Sequence, residues 1–321
     1  EDIIDPDLPA ANECWHFPAT AFVAQLRTCG WFSETEFEQI LPKEVLREGP
    51  HRAMYYEAVR EATDNFLRHN VLPLNRVLRK YLINTPKRMS AFFGNALQET
   101  QWFTKLHENN STMWYYPWDG RGFLQLTGPD NYVCYWDFVG RGSQISQQTR
   151  TQLHNAYKAA SADRAHAQAH IGDDISGVTQ VMIGWRASVG GGEDNSPTPD
   201  SRLFPADSAG FYWSKMEMAQ YADRDIVLQR REVSATRPPQ HHHPDTSPAV
   251  QKIYYHSDNF HDASAAVNYP AGVGNPNSTF NGYVARCIGF AQTLAVVGEP
   301  WFPDGTGTLL PFPEGRQPRR D

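Results

Sequence analysis

Residues 91–103 read AFFGNALQETQWF. At about 100° per residue, Ala96 (about +40°) and Phe103 (about +20°) share a helix stripe with Phe92, and Glu99 falls at about −20°, in the middle of it. An ionisable acid there is either a structural group bonded to a partner such as Arg121 or a functional one. An acid on an apolar face is desolvated, and desolvation favours the protonated form that a general acid must keep. The cap agrees with a helix here: Asn84 or Thr85 precedes Pro86 in the first turn.

A second carboxylate follows nine residues later, Glu108 in KLHENNST (105–112). On one ideal helix the two would stand about 180° apart in azimuth and about 13.5 Å apart along the axis. They can face one another only if the helix ends between them, and the regular spacing stops near His107, before Asn109-Asn110-Ser111. A helix-borne acid opposite a loop-borne carboxylate is the arrangement that glycoside hydrolysis uses. Taken alone, Glu108 reads as a solvated loop residue.

Next comes DGRGFLQLTGPDNY (119–132), where Gly120 and Gly122 flank Arg121 and permit a sharp turn. Gln125 and Thr127 would share one side of an extended segment, and with Asn131 they make a row of amide and hydroxyl groups suited to sugar hydroxyls and N-acetyl groups. The competing reading is a tight hairpin with polar outward positions. Trp114, Tyr115, Tyr116 and Trp118 divide between core and sugar stacking, with Tyr116 taken as a sugar contact.

The rest of the chain sets the frame. Its 321 residues are 40% hydrophobic and 12% aromatic, enough for a sizeable core, and the formal net charge of −7 argues against a nucleic-acid binder. No apolar run reaches membrane-spanning length. The start, EDIIDPDLPAANE, is no secretory signal and suggests an excised piece of a longer protein. Cys14, Cys29, Cys134 and Cys287 form no CxxC pair; a Cys14–Cys29 bridge and ordinary thiols both remain open, ordinary thiols being favoured. His241–His243 and the i,i+4 pair His166 and His170 lack the carboxylates that would complete a metal site.

Helical spacing recurs over 17–32, from 33 to Pro42, over 52–70, 145–187, 209–223 and 282–297, while 189–205 reads as an exposed connection. Residues 234–262, rich in Pro and His, look like an insertion, and 299–321 should be irregular. The expected fold is mainly α, an α+β helical domain with a small β element near 113–128 beside the cleft.

The motif set resembles the core of the family 19 glycoside hydrolases, the chitinases and endolysins of the lysozyme superfamily. The resemblance rests on Gln98-Glu99, Glu108, Gly120-Arg121-Gly122, Gln125-Leu126-Thr127 and Asn131-Tyr132. Asn84-Thr85 with Arg88 through Phe93, Phe211-Tyr212-Trp213, Ala222-Asp223, Val267-Asn268 and Arg286 with Ile288-Gly289-Phe290 extend it. It is dense over 84–140, patchy over 205–295, and covers about half the chain. Three features depart from the pattern: Gln98 stands where the family has His, Asn268-Tyr269-Pro270-Ala271-Gly272 replaces Asn-Gly-Gly, and the connection from Asp223 to Asn268 is long.

The resemblance implies a lysozyme-like domain over 51–298 with an insertion near 224–266, an N-terminal helical extension over 1–50 and a C-terminal tail over 299–321. It makes Glu99 the general acid, Glu108 the general base and Thr127 the hydroxyl that holds the attacking water. Gln125, Asn131, Arg121, Tyr116, Asn268 and Arg286 become the substrate-binding set. Such enzymes invert, with carboxyls about 6.5–9.5 Å apart, and need neither cofactor nor metal. The expected substrate is peptidoglycan, since the scattered cysteines do not fit the disulfide-rich plant chitinases. The implied setting is a lysozyme acting in the bacterial periplasm or cell wall, such as a phage endolysin or an antibacterial effector delivered by type VI secretion and countered by an immunity protein. A chitinase and a non-catalytic glycan-binding module are the rival readings.

Overall fold

The computed structural model describes residues 31–49, 53–191, 199–237 and 248–319. The segment 17–30, the Cys14–Cys29 pairing and His241–His243 lie outside them.

Ser33 starts α1 (Glu34–Gln39) by a capping box: its Oγ accepts the Glu36 amide, and the Glu36 carboxylate accepts the Ser33 amide at 2.8 Å. β1 (Glu44–Glu48) and β2 (Met54–Ala58) then pair antiparallel, Leu46 opposite Tyr56. Two expectations change here. The helix expected over 52–70 is a strand followed by α2 (Asp64–Lys80), because Thr63 accepts the Phe66 amide and caps the helix only there. The boundary expected at residue 50 falls inside a hairpin, and Phe37, Ile40, Leu41 and Val45 belong to the main core, so 31–49 is no separate extension.

α3 (Pro86–Glu99) begins where Thr85 accepts the Arg88 amide at 3.2 Å. It ends earlier than the sequence suggests. Gln101, Trp102 and Phe103 all take positive φ, costly for side-chain-bearing residues, so Phe103 does not continue the helical stripe. Packing offsets the cost: Phe103 stacks on Phe37 with ring centroids 4.6 Å apart, and Trp102 N donates to Leu97 O at 2.6 Å.

The expected β element at 113–128 reduces to single bridges, His107 with Arg121 and Arg121 with Leu126, within a series of turns. Beyond it come α4 (Pro129–Phe138), α5 (Gln147–Ala162), α6 (Gln180–Val189), α7 (Pro199–Lys215) and α8 (Met218–Ala222). The helix expected over 209–223 is thus two, broken where Glu217 turns left-handed, and 199–205 is helical instead of loop. β3 (Gln229–Ala235) and β4 (Val250–His256) form a hairpin joined to β2 by Tyr56 N donating to Thr236 O at 2.9 Å. α9 (Asp258–Asn268) follows, with Phe260, Ala263 and Ala265 in the main core, so the last part of the expected insertion is structural core. α10 (Tyr283–Val297) matches the expected final helix. The tail adds one short pairing, β5 (Phe302–Pro303) with β6 (Leu309–Leu310). Farther on, Arg319 donates to the Leu41, Pro42 and Val59 carbonyls.

The protein is mainly α with small antiparallel hairpins. α3 and α10 cross at Gly94 and Gly289. A Cβ on Gly94 would lie 2.8 Å from the Phe260 ring, and one on Gly289 would lie 3.4 Å from the Gly94 Cα. Two glycines face to face let the backbones approach closely. A second cluster, including Trp118, Tyr132, Trp136, Leu153 and Met182, forms around α4 to α6. Among the described residues no helix is long and apolar enough to cross a membrane.

Candidate active site

A cleft of about 470 Å³ opens where the end of α3, the 105–131 segment, α7 and the end of α9 meet. It is lined by Glu99 and Glu108 together with Gln98, Gln125, Thr127, Asn131 and Asn268.

Glu99 is the last residue of α3, where the helix dipole disfavours a negative charge. The close Gly94–Gly289 crossing brings Arg286 of α10 beside it. Arg286 Nη2 donates to Glu99 Oε1 at 2.6 Å, with the two side chains 4% and 18% exposed. The expectation of an acid set in an apolar floor is therefore corrected: Glu99 carries a cationic partner, and that partner is Arg286, not Arg121. Arg286 is oriented in turn, donating Nη1 to Asn95 Oδ1 at 2.9 Å and Nη2 to Asn268 Oδ1 at 2.8 Å. It sits behind Glu99 as a positioning group instead of lining the cleft. Tyr212 of α7 also lines the cleft, its phenol pushed up by burial and by the charge of Glu99.

Glu108 arrives by the chain reversal that the left-handed residues after α3 begin. Glu108 N donates to Gly120 O at 2.8 Å, and Gly122 N donates to Leu106 O at 2.8 Å. These bonds lay the 106–108 strip against the Gly120–Gly122 turn. The turn needs glycine: Gly122 has φ +80°, and a Cβ there would lie 2.8 Å from the Pro205 carbonyl oxygen. The carboxylate accepts from Tyr115 Oη at 3.0 and 3.2 Å and from Gly120 N at 3.2 Å. Burial and the neighbouring Glu108 charge push the Tyr115 phenol well up, so it stays a donor.

Beneath this turn lies a buried charge cluster. His107 Nε2 meets Asp119 Oδ2 at 2.8 Å, and Arg121 Nη2 meets Asp119 Oδ1 at 3.1 Å. Burial alone would raise the Asp119 carboxyl; the His107 bond and the Arg121 charge outweigh it and hold it below the usual range. Arg121 is itself buried, with Nη1 donating to Pro117 O at 3.2 Å and to Tyr132 Oη at 3.4 Å. It holds the loop and does not line the cleft as a substrate contact. Tyr116 is likewise outside the lining, and Tyr115 takes the place beside the chemistry. Trp118 is core.

Gln125 and Thr127 both line the cleft, though not as an extended pair, since Gln125 has φ +48°. Gln125 Nε2 donates to Gly122 O at 3.0 Å. Thr127 Oγ1 donates its proton to Gln125 O at 2.8 Å, which leaves only lone pairs for a visitor. Asn131 donates to Thr127 O at 2.9 Å and accepts from Lys215 Nζ at 2.6 Å, and Asn268 Nδ2 donates to Ser264 O at 3.1 Å. The amides expected to read sugars thus spend much of their capacity keeping the cleft in shape.

Arg47, Gln101, Lys105, Met113 and Tyr212 also line the cleft, with Leu124, Val267 and Asn281, and none of them was an expected site residue. Tyr212 lay within a recognised motif, but Arg47 carries no local signal, because its strand reaches the site only through the hairpin. Among the described residues no group of three or more His, Cys, Asp and Glu is placed to hold a metal ion, and His166 and His170 both approach Asp163 at the surface. No family model, curated protein or solved structure matches the chain.

Proposed function

We propose that this chain is an inverting glycoside hydrolase that cuts β-1,4 bonds between N-acetylated sugars, with bacterial peptidoglycan as its polymer. The observation that carries the reading is the pair Glu99 and Glu108, delivered by separate elements to one cleft. An open cleft of this size suits a few sugar units of a continuous chain.

In this reading Glu99 protonates the glycosidic oxygen. Arg286 engages Oε1, which leaves Oε2 to carry the proton. Glu108 takes a proton from a water molecule as the water oxygen bonds to the anomeric carbon and the bond to the leaving sugar breaks. Tyr115 and Gly120 N hold the base in place. Thr127, with its own proton committed to Gln125, accepts the second water hydrogen and so turns a water lone pair toward the sugar. The chemistry calls for no cofactor. Peptidoglycan as substrate would place the reaction in the bacterial periplasm or cell wall, and in an effector setting an immunity protein would act by closing this cleft.

Clearing of a suspension of purified cell walls tests the reading directly. The chain should lower the turbidity and release new reducing ends; walls left intact, with no reducing ends over hours, would refute it.

A further inference from the structure

The cleft contains two cations that the hydrolytic steps do not use, Arg47 and Lys105. Arg47 stands on β1, and its Nε is held by Glu57 of β2. Its Nη1 and Nη2 have no partner among the described residues. Lys105 is exposed in the turn after α3, and its Nζ likewise has no hydrogen-bond or ion-pair partner among the described residues. The neighbouring cations differ: Arg286 is committed to Glu99, Asn95 and Asn268, and Lys215 to Asn131.

A lone exposed lysine is ordinarily just solvated. Here an unpartnered lysine and an arginine paired only through Nε, from distant parts of the chain, line the same cleft as the carboxylate pair, in a chain of formal net charge −7. Such a chain repels a polyanion on approach, so an acidic polymer needs local positive charge at the place where it binds. We infer that Arg47 and Lys105 bind carboxylates borne by the glycan, so that the cleft takes an acidic β-1,4 glycan in preference to a neutral one. The β1–β2 hairpin then belongs to the substrate site: Glu57 fixes the guanidinium and leaves its outer fork for a carboxylate, which it can grip in bidentate fashion. This inference rests on the hydrolase reading above and supplies the reason for preferring peptidoglycan over chitin. Peptidoglycan carries carboxylates on its stem peptides, or on the lactyl ether where no stem is attached, and chitin carries none.

The test compares kcat/KM on three preparations of soluble wall glycan: intact, stripped of stem peptides by an amidase so that the lactyl carboxylates formerly amide-bonded to the stems are freed, and with all carboxylates capped as neutral amides. Wild type should prefer intact to capped glycan by about tenfold, the size of one charge-assisted hydrogen bond. Lys105→Ala and Arg47→Ala should each shrink that ratio severalfold, through KM more than kcat, and Lys105→Glu should shrink it further. Raised salt should act in the same direction. Stripped glycan behaving like intact would show that a lactyl carboxylate serves in place of the stem carboxylates; stripped behaving like capped would assign the stem carboxylates as the ligand. Arg47→Ala also removes the Glu57 pairing, so the two Lys105 variants carry the test if the hairpin is weakened. Equal rates on intact and capped glycan, or an unchanged ratio in the Lys105 variants, overturns this inference and leaves the hydrolase reading standing. A wild-type protein inert on all three preparations overturns both.

Discussion

Arg286 Nη2 lies 2.6 Å from Glu99 Oε1, a contact between residues 187 positions apart that ties the last core helix to the proposed acid. Arg286 is 4% exposed and serves Asn95 and Asn268 as well. Arg286→Met removes the guanidinium and leaves Glu99 and two amide oxygens without their donor. The expected loss is about 3 kcal/mol of stability, read from urea unfolding. The double variant Arg286→Met/Glu99→Gln should recover part of it, because no unpaired charge is left. An additive double variant would show that the contact couples nothing.

Glu99→Gln and Glu108→Gln should each lower wall lysis below a tenth of wild type, with the fold retained by circular dichroism. Each amide keeps the shape and loses the proton transfer. NMR of freshly released reducing ends should show the inverted anomer. The retained anomer would instead assign one of the two carboxylates as a nucleophile.

Thr127 offers a finer test. Thr127→Val keeps the volume and removes both the bond to Gln125 O and the acceptor for water. Turnover should fall roughly ten- to hundredfold, about 1–3 kcal/mol, with KM less affected. If Thr127 only braces the turn before Gly128, melting temperature will drop and turnover per folded molecule will stay the same. Both are measured on one preparation.

Stability should depend on pH through His256, away from the cleft. Its ring is fully buried; Nε2 donates to Asp258 Oδ1 at 2.8 Å, and Nδ1 accepts from Tyr283 Oη at 2.7 Å. Burial lowers its pKa from 6.5; Arg231 and His261 lower it further, while Asp258 opposes them. The unfolded chain therefore binds a proton at a pH where the folded chain does not, and stability falls as pH drops from about 6.5 toward the lower folded value. The slope for this one group is at most about 1.4 kcal/mol per pH unit. Across that window, His256→Gln should show a flatter curve than wild type in urea titrations. Parallel curves would exclude the role.

Much that is local was legible in the sequence. Ser33 with Glu36 and Thr85 before Pro86 mark helix starts through contacts three residues apart, and both hold. The apolar run at 282–297 is a helix because its length and composition leave no other way to bury it. Glu99, Glu108, Gln125, Thr127 and Asn131, singled out by residue type and spacing, and Asn268, named only through the family resemblance, all line one cleft. Local patterns failed where strand and helix compete over a few residues, as at Met54–Ala58, which is held as a strand by its partners Glu44–Glu48 and Thr236.

The tertiary structure decided which groups meet. The sequence offers Arg121 as the partner for Glu99. The Gly94–Gly289 crossing gives that place to Arg286, while Asp119 and the Pro117 carbonyl bury Arg121 under the loop. Tyr115 displaces Tyr116 because a chain of turns, not a strand, sets which ring faces Glu108. Arg47 enters the cleft from a hairpin that no local pattern marks. Helix caps and apolar periodicity act over three or four residues and are written in the chain itself. Side-chain partnerships across a hundred residues or more depend on how closely two backbones can approach, and that is settled only when the core packs.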